Sequence, residues 1–482
     1  MKLYNTLSRQ VEQVIPFADN HVGVYACGPT VYDYTHIGHL RKYTMDDVLI
    51  RTLRHAHFEV KFVQNVTDVG HLSSDGDTGE DKLEKGAKKY NQTVWDIARQ
   101  FEEYFFRSMD MMGNIRPDVS CRATDHIQRQ LEMVLTLEKK GFTYVIPDDG
   151  VYFDTAKLAD YGKLARLNAD QLLEGARVEM VVGKRRATDF ALWKFERPGE
   201  NRAMVWESPW AKRSFPGWHI ECSAMSVEHL GEQFEIHTGG IDHIPVHHTN
   251  EIAQSEAATG KKPFVKYWVH HNFLRVDGEK MSKSLGNFYT IDDILEHKST
   301  PQALRLLFLS THYRSELNFT WDSLAGMQRS WQRLTELMRQ IQTARATEYI
   351  SDEQRHTQED EMESWRTRFF AAMELDLSTS EAMSIFWQVA KSSLAATHKY
   401  RLLLEFDQVL GLGLAKIEAG DELQPPADQN VPSAVQQLID QRQQARQEKN
   451  WQQADQLREQ LLQLGYALTD SPDGTQQVRP IQ

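Results

Sequence analysis

The sequence predicts an α/β fold in which a parallel sheet carries helices on its faces and is followed by a helical region. Up to about residue 128, short runs of β-branched and aromatic residues alternate with longer stretches of helical periodicity. This alternation is typical of parallel sheets. It returns near residue 217, and from residue 301 the helical pattern continues almost to the C-terminus. We therefore expect an interrupted sheet domain and a helical second half.

The first half of the sheet is predicted from two strands and two helices. The apolar run at residues 22–26 predicts a buried strand, and residues 27–30 form a turn after it. A helical pattern covers residues 37–54, and residues 60–66 are predicted to form a second strand. Residues 94–112 place aromatic and apolar side chains at helical spacing, which predicts a second long helix.

Residues 129–215 follow a different pattern, because Gly, Pro and Asp turns separate short strands. This stretch is interpreted as an insertion into the sheet domain. The sheet is expected to resume with a strand at 234–237 and a helix at 245–259 that stops at Gly260. A further strand is predicted at 265–274.

The helical half contains two stretches that interrupt its pattern. Residues 345–365 are polar and are expected to connect two helices. Residues 419–431 contain Pro, Gly and acidic residues, which predicts a linker. A last module, 432–482, is expected to hold one long polar helix at 438–464 and a short tail with a turn at 473–475.

Composition narrows the class of protein. The 482 residues are 40% hydrophobic and 26% charged, as in ordinary globular proteins. The polar N-terminus does not resemble a signal peptide, and no apolar run approaches the roughly 18 residues of a membrane helix. We expect a cytoplasmic protein with no membrane association. The net charge of −13 argues against a uniformly basic surface, so RNA binding would require local basic patches.

The tetrapeptide HIGH at residues 36–39 stands where a strand gives way to a helix. Ligands of open α/β sheets bind at the carboxyl ends of strands, and a helix N-terminus offers N–H groups to phosphates. His36 and His39 can reach an ATP triphosphate, and Gly38 lets a flat base approach the backbone. The same short pattern also occurs in unrelated nucleotidyl transferases.

The second motif, KMSKS at residues 280–284, follows a predicted strand and the Asp-Gly turn at 277–278. Lys280 and Lys283 can neutralise charge that develops on a leaving pyrophosphate. By itself such a string is more typical of a solvated loop. Together, in this order and with an insertion between them, the two motifs resemble the signature pair of class I aminoacyl-tRNA synthetases. The resemblance implies a split Rossmann-type catalytic domain that forms an aminoacyl-adenylate without a covalent nucleophile.

A candidate metal site is formed by two of the three cysteines with a histidine and a glutamate. Three cysteines, Cys27, Cys121 and Cys222, are too few for a disulfide framework. His247 and Glu251 lie four residues apart on a predicted helix and so face the same way. Two thiolates, an imidazole and a carboxylate suit zinc. From spacing alone, an exposed His–Glu pair and core-filling cysteines are the more frequent outcome.

The surrounding residues resemble cysteinyl-tRNA synthetases over essentially the whole chain. The stretches that carry this resemblance are YACGPTVYD at 25–33, FPGWHIECSAM at 215–225, Asp242, HHTNEIAQS at 247–255 and HYRS at 312–315, and, less specifically, the polar helix at 438–464 and the turn at 473–475. The resemblance implies one zinc ion per subunit, held by Cys27, Cys222, His247 and Glu251. It also implies that the substrate sulfur joins the metal, because zinc binds a deprotonated thiol whereas a serine hydroxyl stays protonated.

The same resemblance assigns residues to the substrate pockets. Trp218 is placed against the substrate side chain and Asp242 beside its ammonium group, while Gly28 and Thr67 line the pocket. For Trp218, core packing is an equally good interpretation of the sequence. The residues implied for ATP, which acts with Mg²⁺, are His36, Gly38, His39 and Lys283.

Several nearby residues receive no role in catalysis or metal binding. Cys121, His219, His237, His243 and His248 match no ligand position, and we expect them to be structural.

The chain departs from the commoner family pattern in two places. Val246 and Thr249 replace an expected Pro and Glu. Residues 68–71 (DVGH), followed by a Gly/Asp-rich loop through Asp81, replace a shorter acidic stretch, and the role of His71 and of the loop at 70–81 is unexplained.

The C-terminal module shows only a weak signal for RNA. Arg442, Arg446 and Lys449 form one basic stripe, which suits phosphate contacts but also an ordinary solvated helix face. Residues 431–482 carry five basic and six acidic side chains, a net charge of −1, so charge alone does not indicate RNA binding. Trp451 can stack on an unpaired base or pack internally.

The resemblance implies an enzyme that activates L-cysteine with ATP to cysteinyl-adenylate and transfers cysteine to the 3′ end of tRNA(Cys), acting as a monomer. The implied domains are 1–128 and 216–264 as the two halves of the Rossmann catalytic domain, 129–215 as a connective insertion, 265–320 as the KMSKS-bearing stem-contact region, 321–418 as a helical bundle and 419–482 as the anticodon-binding module.

Two other functions remain open at this point. A related ligase could pass cysteine to a small amine, as in mycothiol biosynthesis, although the long C-terminal half argues against this. A non-catalytic RNA-binding relative is disfavoured because both motifs and all four ligand positions are intact.

Overall fold

The computed structural model describes most of the chain. The described residues are 1–70, 81–166, 181–282, 285–417, 438–439, 441–442, 444–445, 450–463, 466–470 and 476–480. The chain divides into two compact units, Met1–Asp421 and Glu422–Gln482. Within the described parts of the chain, no helix is long and apolar enough to cross a membrane.

The first unit is built on a five-stranded parallel sheet, as predicted. The chain first forms an antiparallel hairpin of β1 (Lys2–Asn5) and β2 (Gln10–Gln13). The parallel sheet consists of β3 (His21–Ala26), β4 (Glu59–Val66), β5 (Val119–Arg122), β10 (Phe234–Gly240) and β11 (Val265–His271). Its strand order is β11-β10-β3-β4-β5, and every neighbouring pair is parallel. The most central strand, β3, therefore ends between β10 and β4.

Among the described residues, six α-helices lie between or beside the strands of this sheet in the sequence. They are α1 (Ile37–His55), α2 (Lys82–Tyr90), α3 (Val94–Met111), α4 (Ile127–Lys139), α5 (Trp218–Leu230) and α6 (His247–Thr259). The predicted stop of α6 is confirmed, since Gly260 caps the helix with a φ of +80°, a conformation that glycine adopts readily. The helix begins two residues later than the predicted residue 245.

A separate antiparallel sheet lies in the chain between β5 and β10. It contains β6 (Thr143–Ile146), β7 (Gly150–Phe153), β8 (Phe190–Phe195) and β9 (Ser214–Pro216), in that order. All of its strand pairs are antiparallel, whereas the strands that precede and follow it in the sequence belong to the parallel sheet. Its last strand leads into α5, which carries Cys222.

The prediction of one strand from 265 to 274 is wrong, because the strand ends at His271. After the parallel sheet ends, a separate three-stranded sheet begins with β12 (Leu274–Val276) and includes β13 (Glu279–Lys280) and β14 (Leu317–Phe319). Between the two sheets, the buried guanidinium of Arg41 donates to the carbonyls of Asn272 and Phe273 at 3.1 and 2.7 Å. It also donates to the carbonyls of His312 and Ser315. Arg41 thus binds backbone carbonyls that lie outside any sheet.

The rest of the first unit is mainly helical. Its helices are α7 (Ile291–Glu296), α8 (Pro301–Leu309), α9 (Trp321–Thr347), α10 (Asp352–Glu374), α11 (Thr379–Lys391) and α12 (Ala396–Leu410). The predicted connection at 345–365 is largely wrong, since only residues 348–351 lie between α9 and α10. The stretch is polar, but Met362, Phe369 and Met373 of α10 are buried in the core, and this packing stabilises a helix that periodicity does not indicate.

In its described part, the second unit contains short helical stretches at 438–439, 441–442 and 444–445, followed by one longer helix and a hairpin. The longer helix and the hairpin strands are α13 (Trp451–Gln463), β15 (Tyr466–Asp470) and β16 (Gln476–Pro480). The predicted single helix at 438–464 is interrupted at Asn450, whose side chain accepts a hydrogen bond from the backbone N–H of Gln453 and so precedes a new helix start. In the predicted basic stripe, Arg442 is buried. Arg446, Lys449, the linker at 419–431 and the turn at 473–475 lie outside the described residues.

We predict that Arg41→Met lowers the free energy of unfolding by at least about 3 kcal/mol, because four carbonyls lose a charged donor in a buried site. Arg54 provides a matched control on the same helix, since its ion pair with Asp118 is exposed. Arg54→Met should cost about 1 kcal/mol or less. Urea unfolding monitored by circular dichroism compares the two, and equal costs would contradict the role assigned to Arg41.

Candidate metal centre and nucleotide site

The four predicted metal ligands meet in one buried cluster. Cys27 follows β3, Cys222 lies on α5, and His247 and Glu251 occupy the first turns of α6. Their ligand atoms all lie within 4.8 Å of one another. The Cys27 N–H donates to the Thr238 carbonyl at 3.1 Å, which extends the pairing of β3 with β10 and places the thiol beside α6.

The carboxylate of Glu251 is the centre of this cluster. It is fully buried, and its two oxygens contact Nε2 of His247 at 2.9 Å and Nε2 of His237 at 3.0 Å. Burial alone would raise the pKa of Glu251, but these two histidines lower it well below its usual range. The carboxylate is therefore ionised. One of its two imidazole partners, His247, comes from the same helix, four residues earlier.

The surroundings of the two thiols favour their neutral form, whereas those of Glu251 favour its charged form. Burial raises the pKa of Cys27, while contact with Cys27, followed by burial, raises the pKa of Cys222. A divalent cation would reverse this, because a coordinating thiol is deprotonated. Two sulfurs, one imidazole and one carboxylate in reach of a single point suit zinc in type and number, so the donor set fits that ion.

Several further histidines surround these ligands, among them His219 and His248, which were predicted to be structural. The Nδ1 atoms of His219 and His247 are 2.9 Å apart, and Nε2 of His248 lies 3.3 Å from the Cys27 sulfur. His248 in turn contacts His270 on β11 at 2.8 Å, and His270 contacts the hydroxyl of Thr6 at 2.8 Å. Partners of this kind orient ligands.

A second set of candidate donors overlaps with the first. Cys27, His237, His248 and Glu251 also place their ligand atoms within 4.8 Å of one another. The sequence offers one indication that His237 lies near the cluster, because His237 stands near the end of the predicted strand at 234–237. His270 shows no such signal, because its place depends on how β11 pairs with β10. Cys121 stays apart, with its sulfur 3.7 Å from the Gln64 carbonyl.

The residues predicted to line the cysteine pocket lie close to the cluster or to each other. The half-buried Trp218 ring stacks on His247 with 4.5 Å between centroids. Gly28 donates its N–H to Oδ1 of Asn65 at 2.8 Å, and a Cβ at this position would lie 1.6 Å from the Asn65 carbonyl oxygen. Only glycine fits there. The buried Thr67 accepts a hydrogen bond from Asn65, and Asp242 is exposed on the turn after β10.

The HIGH tetrapeptide forms the start of α1. Nδ1 of His36 accepts hydrogen bonds from the N–H groups of Gly38 and His39 at 3.1 and 3.3 Å, so His36 caps the helix. The rings of His36 and His39 stack with 3.6 Å between centroids. The two imidazoles therefore form one surface at a helix N-terminus, where phosphates bind favourably.

The segment after the KMSKS motif packs on this helix start. Ile37 donates its N–H to the Tyr289 carbonyl at 2.8 Å, and the Phe288 ring meets His36 at 5.0 Å. Met281 of the KMSKS motif is also close, because a Cβ added to Gly38 of the HIGH motif would lie 3.6 Å from its Cε atom. The two motifs are thus neighbours.

The remaining predicted positions fall as follows. Lys280 is exposed on β13, and its carbonyl accepts a hydrogen bond from Asn287. Lys283 lies outside the described residues, as does His71. Of the two departures beside α6, Val246 precedes the helix without a side-chain cap, and Thr249 donates to the Ile244 carbonyl at 2.7 Å.

Comparison with known proteins identifies the family of the chain. Residues 13–329 match the family model of the tRNA synthetases class I (C) catalytic domain. Residues 428–479 match that of the cysteinyl-tRNA ligase anticodon binding domain.

Similar proteins match almost the whole chain. Cysteine–tRNA ligase 1 of Burkholderia lata is 44% identical over 98% of this chain and 96% of its own length. Cysteine–tRNA ligase of Treponema denticola is 40% identical over 98% and 99%. Among solved structures, Mycobacterium tuberculosis methionyl-tRNA synthetase in complex with methionyl-adenylate has a TM-score of 0.57 at 15% identity, covering 83% of this chain and 91% of that one.

The parallel sheet and the adjoining motifs define the catalytic fold of class I aminoacyl-tRNA synthetases, which are aminoacyl-tRNA ligases. Within that class, the chain belongs to the cysteinyl-tRNA synthetase family.

We predict that Cys222→Ala removes most bound zinc from protein dialysed against a mild chelator, because one of four ligands is lost. Cys121→Ala is the matched control, since Cys121 is also a buried thiol but lies outside the cluster. It should keep about one zinc ion per chain. Metal content is measured by mass spectrometry, and equal zinc in both variants would refute this ligand assignment.

Proposed function

We propose that this chain is a cysteine–tRNA ligase that forms cysteinyl-adenylate from L-cysteine and ATP and transfers the cysteinyl group to the 3′ end of tRNA(Cys). The observation that carries the proposal is the buried cluster of Cys27, Cys222, His247 and Glu251 beside the Trp218 ring. An enzyme that activates cysteine must reject serine, which differs from cysteine only in having oxygen in place of sulfur. A centre that binds thiolates selectively would make that distinction.

The cluster supports selection of the thiolate. When bound, zinc would offer the substrate sulfur a coordination position and favour its deprotonated form. The chain's own residues hold the rest of the amino acid. Trp218 covers one side of the pocket through its stacking on His247, Gly28 and Thr67 shape its wall around Asn65, and Asp242 pairs with the substrate ammonium group.

We assign ATP to the surface made by the two motifs. A carboxylate oxygen of cysteine attacks the α-phosphorus, the bond to the bridging oxygen breaks, and pyrophosphate leaves with its negative charge. His36, Gly38 and His39 bind the phosphates at the start of α1, while Lys280 and Lys283 neutralise the leaving group. Mg²⁺ accompanies the nucleotide. Stacking of His36 on His39 and their contact with residues 288–289 support this arrangement.

The second half of the proposed reaction takes place on RNA. The 2′- or 3′-hydroxyl of the terminal ribose attacks the carbonyl carbon of the adenylate, and AMP leaves. We assign anticodon recognition to the C-terminal module, because residues 428–479 match an anticodon binding domain.

Exchange of labelled pyrophosphate into ATP tests the activation step. We expect exchange with cysteine, and a preference over serine on the order of 10⁴ in kcat/KM, as for sites that bind a distinguishing group directly. Exchange should fall with zinc content when the metal is chelated, and readdition of zinc should restore it. Comparable rates with cysteine and serine would overturn the proposed thiol selection.

Charging tests the acceptor. The enzyme is incubated with ATP, labelled cysteine and total tRNA, and acid-precipitable label is expected on tRNA. Label that appears only on a small amine would identify the alternative ligase. Cysteine-dependent exchange without any transfer to tRNA would likewise contradict the second step.

A further inference from the structure

A partly buried lysine contacts the backbone of the candidate metal centre. Lys42 lies on the second turn of α1, three residues after His39, and its side chain is only 13% exposed. Its ammonium group donates to the Cys27 carbonyl at 2.7 Å and forms an ion pair with Asp46 at 2.8 Å. Neither contact is used in the proposed reaction.

A small network holds this ammonium group in place. Asp46 is buried, and its other oxygen lies 2.8 Å from Nε2 of His271, which is also buried. Burial alone would raise the pKa of Asp46, but Lys42 and His271 lower it to about 2. Burial lowers the pKa of His271. The network therefore joins an ammonium group, a carboxylate and an imidazole, with the ammonium group directed at the Cys27 carbonyl.

Lys42 and Asn65 hold opposite sides of a single peptide group. The carbonyl that receives Lys42 and the N–H that reaches Oδ1 of Asn65 at 2.8 Å both belong to the peptide joining Cys27 to Gly28. A peptide group is planar, so two bonds on its opposite sides fix its rotation. This peptide connects a proposed metal ligand to a proposed wall of the cysteine pocket.

Ladder pairing does not fix this peptide. The last backbone hydrogen bond that joins this end of β3 to β10 runs from the Cys27 N–H to the Thr238 carbonyl. The chain turns away from β10 at Gly28. A buried carbonyl without a partner is costly, and a charged donor makes a stronger hydrogen bond than a neutral one. If Lys42 is lost, the peptide can rotate, and the Cys27 sulfur and the Gly28 wall then shift together.

We propose that Lys42 is a positioning residue for the cysteine pocket, which it orients by holding the Cys27–Gly28 peptide, with Asp46 and His271 fixing its ammonium group. This inference rests on the proposed cysteine activation. It assigns Lys42 to cysteine rather than to ATP, because the described contacts between the two motif segments join residues 36–38 to Met281, Phe288 and Tyr289, whereas the described hydrogen bond and ion pair of the Lys42 ammonium group are with Cys27 and Asp46.

The test compares Lys42→Met with Lys61→Met and Lys42→Arg in the zinc enzyme. Lys61 is a matched control, since its ammonium also donates to a backbone carbonyl, that of His229 at 2.6 Å, but on the exposed surface. In pyrophosphate exchange, Lys42→Met should raise KM for cysteine between about tenfold and 100-fold, as expected for a misplaced binding group, and leave KM for ATP unchanged. Lys61→Met should change neither, and Lys42→Arg should restore part of the loss.

A second measurement does not depend on turnover. In cobalt-substituted protein, absorption of the metal–thiolate bonds reports the geometry of the Cys27 sulfur. We expect Lys42→Met to alter this spectrum and to require more cysteine for the half-maximal spectral change, while Lys61→Met matches the unaltered chain. If Lys42→Met does not fold, Asp46→Asn, which keeps the side-chain shape, should show the same changes more weakly.

The outcomes separate this inference from the proposed function. An unaltered chain without cysteine-dependent exchange removes both. Normal exchange in that chain, with unchanged KM for cysteine and an unchanged cobalt spectrum in Lys42→Met, overturns the role of Lys42 alone. Equal increases of KM for cysteine and ATP together with a lower unfolding temperature would also overturn it, because they indicate a general structural role.

Discussion

The active region depends on a carboxylate, Glu251, that is removed completely from water. Burying a charge is unfavourable unless opposite charge or hydrogen-bond donors surround it. His247, one helical turn earlier, and His237, on the neighbouring strand, meet this requirement at about hydrogen-bond distance. Because one partner lies on α6 and the other on β10, the same interaction sets how the helix lies on the sheet. The thiols of Cys27 and Cys222 then complete a donor set suited to zinc.

Two cationic side chains of α1 bind backbone carbonyls and thereby position the elements of the proposed site. Arg41 and Lys42 are adjacent on α1, directly after the HIGH motif, yet they act in different directions. Arg41 binds carbonyls at 272–273 and in the HYRS segment, which ties the helix to the sheet that carries the KMSKS loop. Lys42 binds the Cys27 carbonyl. The start of α1 thereby relates the proposed nucleotide surface, the KMSKS-bearing sheet and the candidate metal centre to each other.

Local patterns predicted the parallel sheet well and the helical half less well. β3, β4 and α1 are found where predicted, because each satisfies its periodicity within a few residues. The strand ending at His271 was predicted too long, since nothing local marks the point where Arg41 takes over the carbonyls of residues 272–273. The first part of helix α10, up to residue 365, was predicted as a connection because it is polar, although Met362 within it is buried in the core.

By itself, the sequence indicated the fold class and the family resemblance, and through that resemblance the four candidate donor residues. These follow from short stretches whose chemistry is distinctive wherever they fold. Only the tertiary structure decided that His237, His248 and His270 surround the donors and that Lys42 reaches the Cys27 carbonyl. Such contacts join residues from separate strands and helices, and their distances depend on how β10, β3, β11 and α1 pack. No periodicity within one segment encodes that packing.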